Sequence, residues 1–261
     1  MKLINLFLTY FLQLKNHMSL YRAIHLLFQV AISKPKYIRY KYNDHELYIN
    51  NDESALYHIV NSTKKIENLV NNINMKTIRT VFDIGANCGL FAYFIKKKFP
   101  ESTVYCFEPI EELSGCIEKN VNSFSNVHIV KKAMSDTSGL DIAFYQNPKS
   151  QQTNSILLNS VIDYCTESKI NSISVQSETL DNFCEQHDIN SIDVLKVDIQ
   201  GAEYKMLQGA KNTLSKVTLA FFEITFLDND IVETLSLIKS YLKHYKVINE
   251  VKMGADVLFY N

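Results

Sequence analysis

The 261-residue chain has no tryptophan, and its arginines are few (Arg22, Arg39 and Arg79) beside abundant lysine and asparagine. This bias is typical of an AT-rich genome rather than of an adaptation to a ligand. The five cysteines are odd in number and form no Cys-x-x-Cys pair, so neither a zinc site nor a disulfide framework is indicated. We therefore expect a reducing, cytoplasmic location, with Cys88 and Cys106 as small buried residues.

Acidic side chains are absent from the first 43 residues, which carry seven lysines or arginines, although the net charge of the whole chain is −1. Residues 44–261 therefore hold 20 basic and 28 acidic residues. A body with this excess of acid is poorly suited to binding nucleic acid through a broad basic face. We expect no nucleic-acid partner.

No apolar run near the N-terminus reaches the roughly 20 residues of a membrane-spanning helix. Three interpretations of residues 1–32 are open. These residues could form a pair of amphipathic helices packed on the rest of the chain or on a second subunit. They could instead form a helix that lies on an anionic membrane surface as a peripheral contact, with Lys15 and Arg22 against the headgroups. The third interpretation is a processed leader, although no small-x-small cleavage motif follows the first 14 residues promptly.

The sequence pattern divides the chain into three predicted parts. Residues 1–35 form an apolar and basic helical segment, residues 36–77 form a hairpin and a helix, and residues 78–261 form the main domain. The hairpin is predicted from strand-like stretches on either side of Asn43 and Asp44, namely 36–42 and 46–49. The helix is predicted over 55–60, with Asp52 or Ser54 as its cap.

From residue 78 onward, strand and helix patterns alternate, which predicts an α/β domain with a mostly parallel sheet and helices on both faces. The predicted strands cover 79–84, 103–108, 126–130, 193–198, 217–223, 246–250 and 256–260. The predicted helices cover 89–98, 111–122, 179–187, 202–214 and 230–243. A hairpin of 139–145 with 172–176 interrupts the pattern. The polar stretch 146–155 between its arms is a substrate loop, a lid or a disordered loop.

The stretch 81–89 (VFDIGANCG) is an apolar strand that ends in an acid and enters a glycine turn. Glu108 closes the next apolar strand, about 20 residues further on. A strand, a glycine-rich turn, a helix and an acid after the following strand make up the nucleotide-binding half of a Rossmann-like unit. The glycines let the backbone approach a ligand closely, and Glu108 can accept hydrogen bonds from both ribose hydroxyls.

The spacing of the glycines separates two classes of nucleotide. Dinucleotide sites use Gly-x-Gly-x-x-Gly where a helix N-terminus meets a pyrophosphate, whereas Gly85 and Gly89 are separated by three residues and follow Asp83. An acid at that place repels a pyrophosphate but can pair with an ammonium group. The pattern therefore favours S-adenosylmethionine, which has a ribose and an amino-acid tail but no phosphate. A nicotinamide-dependent oxidoreductase is one alternative, and a purely structural strand–turn–helix is another.

A second set of polar residues ends a strand in 195–203 (LKVDIQGAE). Ligands of open α/β sheets bind beyond the carboxyl ends of the strands, near the switch in strand order. The acids predicted at this rim are Asp83, Glu108, Asp198 and Glu223. Alternation places Lys196 and Asp198 on one face of the strand, and we expect Lys196 to form a buried ion pair with Asp198 or Glu203. Asp198 could bind the acceptor hydroxyl or act as its base, and it is the first candidate for the base, with Glu223 the second.

Taken together, these residues resemble the FkbM family of S-adenosylmethionine-dependent methyltransferases. The resemblance covers about 78–225, with its blocks in order and at the expected spacing, whereas residues 1–77 match only vaguely. The blocks are 81–89 (VFDIGANCG), 107–109 (FEP), 133–136 (AMSD), 178–181 (ETLD), 195–203 (LKVDIQGAE), 207–210 (LQGA) and 222–223 (FE).

The resemblance implies a class I, Rossmann-like methyltransferase fold, with a seven-stranded, mostly parallel sheet whose last strand is antiparallel. It also implies O-methylation of a hydroxyl of a sugar, glycan or other small molecule, with S-adenosylmethionine as cofactor. The implied cofactor-binding residues are Asp83, Gly85, Asn87 and Gly89 for the methionine end, Glu108 for the ribose, and Ala133 and Met134 for the adenine.

Two positions depart from the family pattern. Gln200 stands where the family often has Glu, so we assign it no acid–base role. Ala133 occupies a position where many related methyltransferases carry an acid for the adenine, so adenine recognition would rest on backbone groups or on Ser135.

Two further alternatives concern function. An N-methyltransferase of nucleic acid would carry an Asn/Asp-Pro-Pro-Tyr block, but residues 198–201 are DIQG. A catalytically inactive methyltransferase-fold scaffold at a membrane surface would have no reason to keep its rim acids and glycines together. Asp198 and Glu223 alone do not make a metal-ligand set, so we predict no metal. The acceptor is not identified by any motif, and we expect it to contact residues 146–170 and the N-terminal region.

Overall fold

A seven-stranded sheet forms the centre of the computed structural model, which describes residues 20–29, 33, 35–147, 149–162, 169–225, 231–251 and 254–261. Its strands are β3 (Thr80–Ile84), β4 (Thr103–Phe107), β5 (Val127–Val130), β9 (Ile192–Val197), β10 (Val217–Thr225), β11 (His244–Val251) and β12 (Gly254–Tyr260). Their order across the sheet is β11-β12-β10-β9-β3-β4-β5. β12 pairs antiparallel with both of its neighbours, and the other pairings are parallel. The predicted sheet with an antiparallel last strand is confirmed.

Alternate residues of the central strands pack on opposite faces of the sheet, as a period of two requires. Val81, Val104 and Val194 belong to one apolar cluster, whereas Phe82 and Leu195 belong to the other. Each of these side chains is fully buried, and burial of one such side chain contributes about 1.5–3 kcal/mol. A strand buried on both faces explains why β3 and β9 read as continuous apolar runs.

Helices cover both faces of this sheet. They are α4 (Leu90–Lys98), α5 (Glu111–Val121), α7 (Leu180–Gln186), α8 (Glu203–Gln208), α9 (Lys211–Leu214) and α10 (Ile231–Tyr241). The N-terminal part adds α1 (Leu20–Phe28), α2 (Ala55–Tyr57) and α3 (Thr63–Asn71), and the short helix α6 is Leu158–Ile162.

The prediction of a single helix over 202–214 is wrong in one respect. It divides at Gly209, where an added Cβ would lie 2.4 Å from the Ser135 carbonyl oxygen, so the chain there has no room for a continuing helical side chain.

A small three-stranded sheet holds β6 (Ala133–Met134), β7 (Asp141–Gln146) and β8 (Asn171–Glu178) in the order β6-β8-β7. β7 and β8 pair antiparallel, which confirms the predicted hairpin. The loop between them is closed at its base by two hydrogen bonds between the backbones of Tyr145 and Ser155. Its described part contains a 3-10 turn at Gln151–Thr153, so it has a defined conformation there.

The N-terminal hairpin is also confirmed, with β1 (Tyr37–Tyr42) paired to β2 (His45–Asn50). Asn43 has a φ of 51°, the left-handed conformation that a tight turn needs. The helix predicted over 55–60 is longer than expected: it runs from Ala55 to Asn71, with a π-helical turn at His58–Ser62.

The structure describes part of the N-terminal segment, and α1 buries Ala23, Leu26 and Leu27 in the same apolar cluster as the hairpin. This packing supports the first of the three interpretations for α1. The predictions for residues 1–19 lie outside the described residues. Among the helices that the structure describes, none is long and apolar enough to cross a membrane.

Candidate functional site

A cavity of about 410 Å³ opens at the carboxyl ends of the central strands, where ligands of open α/β sheets bind. The strand order divides its wall into two halves. The first half follows β3, β4 and β5, and it contains Gly85, Asn87 and Glu108. The second half is formed by the ends of β9 and β10 and the start of the antiparallel β12, and it contains Asp198 and Glu223. We call them the nucleoside half and the acceptor half.

The turn after β3 forms the junction of the two halves. Gly85 has a φ of 73°, and a Cβ at this position would lie 1.9 Å from the Asp198 carbonyl oxygen. Only glycine therefore fits here, on grounds of both conformation and space. Lys196 Nζ donates a hydrogen bond to the Gly85 carbonyl oxygen at 2.8 Å. The two motifs predicted from the sequence, 81–89 and 195–203, meet at this point.

Glu108 lies in the wall of the nucleoside half, directly after β4. Its Oε2 accepts a hydrogen bond from the Asn87 backbone N–H at 3.0 Å, and its Oε1 accepts one from the Ile110 N–H at 3.1 Å. Burial raises the pKa of Glu108 to about 7, although the two N–H donors oppose this shift. The carboxylate is thus fixed in place with lone pairs still available, since each oxygen can accept more than one hydrogen bond.

Two of the predicted cofactor-binding residues lie behind the cavity wall. Asp83 is fully buried, and its Oδ1 lies 3.2 Å from Lys196 Nζ. Burial raises the pKa of Asp83, and the nearby Lys196 opposes this shift. The ammonium group beside Asp83 is therefore that of Lys196. Gly89 begins α4 and packs on α5, where a Cβ would lie 2.9 Å from a methyl carbon of Ile117.

The remaining nucleoside-half residues come from the chain after β5. Ala133 and Met134 form β6, are buried, and line the cavity. Lys132 also lines it, and its Nζ lies 2.6 Å from Glu178 Oε2. The Ser135 hydroxyl donates to Asp136 Oδ1 at 3.0 Å.

Carboxylates dominate the acceptor half. Lys196 Nζ lies 3.6 Å from Asp198 Oδ2, and Gln200 Nε2 donates to Asp198 Oδ1 at 2.8 Å. The expected ion pair of Lys196 with Asp198 is therefore present, but the shorter distance from the lysine is to Asp83. Gln200 has a φ of 53°, an uncommon conformation that costs free energy in a residue with a side chain.

Glu223 lies next to Asp256 because β10 and β12 place these residues opposite each other. Lys65 Nζ contacts both, at 3.3 Å from Glu223 Oε2 and 2.9 Å from Asp256 Oδ1. The Asp198 carboxylate, helped by burial, raises the pKa of Glu223 to about 7, while Lys65 opposes the shift. A carboxyl group whose pKa lies near neutrality, as that of Glu223 does, can act as a proton acceptor at neutral pH.

Three residues of this half were missed by the sequence interpretation: His58, Lys65 and Asp256. His58 and Lys65 come from the helix with the π turn, a feature that often accompanies functional sites. Burial lowers the pKa of His58 to about 3, so its imidazole is neutral near pH 7. Asp256 lies near the start of the antiparallel strand β12. The first residues of β12 are at the same rim as the last residues of the parallel strands. The antiparallel direction of the last strand was the signal that could have indicated Asp256.

No three His, Cys, Asp or Glu side chains are grouped so as to hold a metal ion among the residues that the structure describes. The donor chemistry fits a nucleoside instead. A fixed carboxylate at Glu108 suits vicinal hydroxyl groups, and the bare backbone at Gly85 leaves room for close approach.

The family described as the methyltransferase FkbM domain matches residues 83–246. The 2-O-methyltransferase NoeI of Sinorhizobium fredii is 25% identical over 77% of this chain and 86% of its own length. The hexuronic acid methyltransferase AglP of Haloferax volcanii is 27% identical over 55% of each chain. Among solved structures, Aeropyrum pernix fibrillarin with natively bound S-adenosyl-L-methionine aligns over 86% of this chain and 82% of its own, with 10% identity and a TM-score of 0.46.

Proposed function

The chain belongs to the FkbM methyltransferase family, and we propose from this premise that it transfers a methyl group from S-adenosylmethionine to a hydroxyl oxygen of a sugar or glycan. One observation carries the proposal: a carboxylate suited to ribose, that of Glu108, shares a cavity with the paired carboxylates of Asp198 and Glu223. The names of NoeI and AglP, a 2-O-methyltransferase and a methyltransferase of a sugar acid, support the choice of acceptor class.

In the nucleoside half, we propose that Glu108 accepts hydrogen bonds from the ribose hydroxyls and that Gly85 and Asn87 border the methionine end. Ala133 and Met134 would flank the adenine. Asp83 and Gly89 would act indirectly. Asp83 holds Lys196, which in turn fixes the Gly85 carbonyl, and Gly89 seats α4 against α5.

When bound, S-adenosylmethionine supplies a methyl group on a sulfonium, which is already a good leaving group. The protein therefore has to align the acceptor hydroxyl, exclude water and accept a proton. Lys196 and Gln200 hold Asp198 in one orientation, so we assign Asp198 to orient the hydroxyl. Glu223, whose pKa is near 7, is better matched to accept its proton at neutral pH. This reverses the order of the two candidates expected from the sequence.

A transfer assay tests this function. Purified enzyme is incubated with methyl-labelled S-adenosylmethionine and a panel of monosaccharide glycosides and glycolipids, and the products are analysed by mass and by treatment with mild alkali. We expect a gain of one methyl group per product in an alkali-stable ether. Label in an alkali-labile ester, or the absence of transfer to any sugar by an enzyme that binds the cofactor, would contradict the proposal.

The nicotinamide alternative receives no support from the acceptor half, where the Asp198 and Glu223 carboxylates lie close to each other. A fluorescence titration with NADH distinguishes the two functions directly. We expect no saturable binding of NADH at concentrations where S-adenosylmethionine saturates the protein.

A further inference from the structure

The acceptor half has an unusual charge balance. Two ammonium groups, those of Lys65 and Lys196, are surrounded by the carboxylates of Asp83, Asp198, Glu223 and Asp256. Burial acts against the charged form of both lysines, but the carboxylates outweigh it and raise their pKa values. His58 adds no charge near pH 7. With Asp83 paired to Lys196, the single ammonium group of Lys65 faces the carboxylates of Asp198 and Asp256 and a Glu223 that is about half ionised near pH 7, so the acceptor half is negative overall.

None of its cations is free to bind an anion. Lys65 contacts Asp256 at 2.9 Å, and Lys196 contacts Asp83 at 3.2 Å. In the nucleoside half, Lys132 contacts Glu178 at 2.6 Å. Within the described part of the chain, each lysine of the cavity wall therefore has a carboxylate partner, and no arginine lines the cavity. A carboxylate or phosphate entering the acceptor half would have to compete with these carboxylates for the same ammonium groups.

The loop between β7 and β8 adds uncharged hydrogen-bonding groups to the same cavity. Asn154 and Gln151 line it, and Asn154 is more than nine-tenths buried. Asn154 Oδ1 accepts a hydrogen bond from the Asn147 backbone N–H at 2.8 Å. This bond uses the oxygen of the side-chain amide and does not involve its nitrogen, Nδ2. Among the residues that the structure describes, Asn154 Nδ2, a donor, and Gln151 Oε1, an acceptor, are buried polar atoms with no hydrogen-bond partner.

Buried polar atoms without a hydrogen-bond partner, such as Asn154 Nδ2 and Gln151 Oε1, destabilise the protein unless a ligand forms hydrogen bonds with them. Hydroxyl groups can satisfy both, because a hydroxyl donates and accepts. An anionic oxygen can satisfy only the amide donor, and it would also face the carboxylates of Asp198, Glu223 and Asp256. The loop contacts the same region as these acids, since Ser155 Oγ lies 3.5 Å from the Ile199 carbonyl oxygen.

We infer that the acceptor is a polyhydroxylated ring without an anionic group, bound between Asn154 of the loop and the ion pairs of Lys65, and that sugars bearing a carboxylate or phosphate are rejected. This inference rests on the proposed function and narrows it, because it excludes for this chain the sugar acids that the name of AglP would suggest. Rejection comes from like charge, which opposes a wrong ligand more strongly than a missing contact does. Neutral sugars and amino sugars both satisfy the requirement.

A fractionation assay tests the inference. Methyl glycosides of neutral hexoses, amino sugars, hexuronic acids and phosphorylated hexoses are pooled at equal concentrations and incubated with labelled S-adenosylmethionine and the full-length enzyme. Products are then separated by anion exchange and assigned by mass, so that an uncharged methyl ester of a hexuronic acid is counted with the anionic sugars. We expect the unretained neutral and amino sugars to carry at least about ten times the label of the retained anionic sugars. Most of the label in the retained fraction would overturn the inference. Transfer to no member of the pool would instead count against the proposed function.

Two variants sharpen this test. In Asp256→Asn, Lys65 loses one carboxylate partner, and we expect the ratio of anionic to neutral product to rise about tenfold, whereas Asp141→Asn on exposed β7 should leave it at the wild-type value.

In Asn154→Ala, we expect the KM for a neutral sugar to rise about threefold to tenfold with cofactor affinity unchanged. Lys149→Ala in the same loop is its control. An unchanged product ratio in Asp256→Asn, or an unchanged KM in Asn154→Ala, would contradict the assignment.

Discussion

The two halves of the cavity are built in different ways. The nucleoside half comes from short, contiguous motifs that follow β3, β4 and β5, and Gly85, Asn87 and Glu108 all lie within the family match of 83–246. The acceptor half collects side chains from a helix before that region, a loop inside it and a strand after it. Lys65 and Asp256 fall outside the match altogether. The proposed cofactor site thus lies within the family match, whereas part of the proposed acceptor site lies outside it.

The largest effect is expected at the junction of the two halves. Gly85 and Gly139 both have a φ of 73°, but a Cβ at Gly85 would lie 1.9 Å from the Asp198 carbonyl oxygen, whereas at Gly139 nothing lies within 4 Å. Gly139→Ala should therefore cost only the conformational strain, about 1–2 kcal/mol of unfolding free energy. Gly85→Ala should cost about 3 kcal/mol or more and abolish cofactor binding. Denaturant unfolding measures the loss of stability, and calorimetry measures cofactor binding. Equal losses of stability in the two variants would refute the close approach of the Asp198 carbonyl oxygen to Gly85.

A second effect separates binding from chemistry. Glu223→Gln removes the proposed proton acceptor, so we expect kcat to fall by about a hundredfold to ten-thousandfold, with S-adenosylmethionine affinity within about twofold of wild type. Asp198→Asn should also reduce turnover while leaving cofactor affinity nearly intact. Rapid-quench kinetics and calorimetry on the same preparations provide the two readouts. Wild-type turnover in Glu223→Gln would show that Glu223 is not the proton acceptor. A loss of cofactor affinity would show that the acceptor half also contributes to cofactor binding.

The smallest effect is a shift in pH dependence. Glu223 must be ionised to accept a proton, so kcat should rise with pH through about 7, the pKa of this carboxyl. Asp198 and Asp256 raise that pKa and Lys65 lowers it. Lys65→Met should therefore move the acidic limb of the profile to higher pH. Lys64→Met, one residue away and exposed, should not move it. A limb that stays in place in Lys65→Met, or moves equally in both variants, would contradict the effect of Lys65 on the pKa of Glu223.

The same contrast explains what the sequence allowed us to predict. The strands were predictable because β3 and β9 are buried on both faces and read as apolar runs, and Glu108 was predictable because it follows β4 directly. Lys65 was not, since the predicted helix ended at residue 60 and the π turn at His58–Ser62 has no sequence pattern of its own. Asp256 was missed because it lies near the start of its strand, and only the antiparallel direction of β12 brings it to the rim. Asp83 lies behind the wall because its carboxylate contacts Lys196 on the neighbouring strand β9. Strand alternation alone does not reveal this contact between strands.

The central claim is that Glu108 holds the ribose of S-adenosylmethionine in the nucleoside half, and calorimetric titration of Glu108→Ala with this ligand tests it most directly. Glu111→Ala, which removes an exposed carboxylate at the start of α5, is the matched control, and both proteins should first be shown to unfold cooperatively. We predict that Glu108→Ala lowers the affinity at least about a hundredfold, since charge-assisted hydrogen bonds to two hydroxyls are lost, whereas Glu111→Ala binds as the wild type does. Wild-type affinity in a folded Glu108→Ala protein would contradict the account.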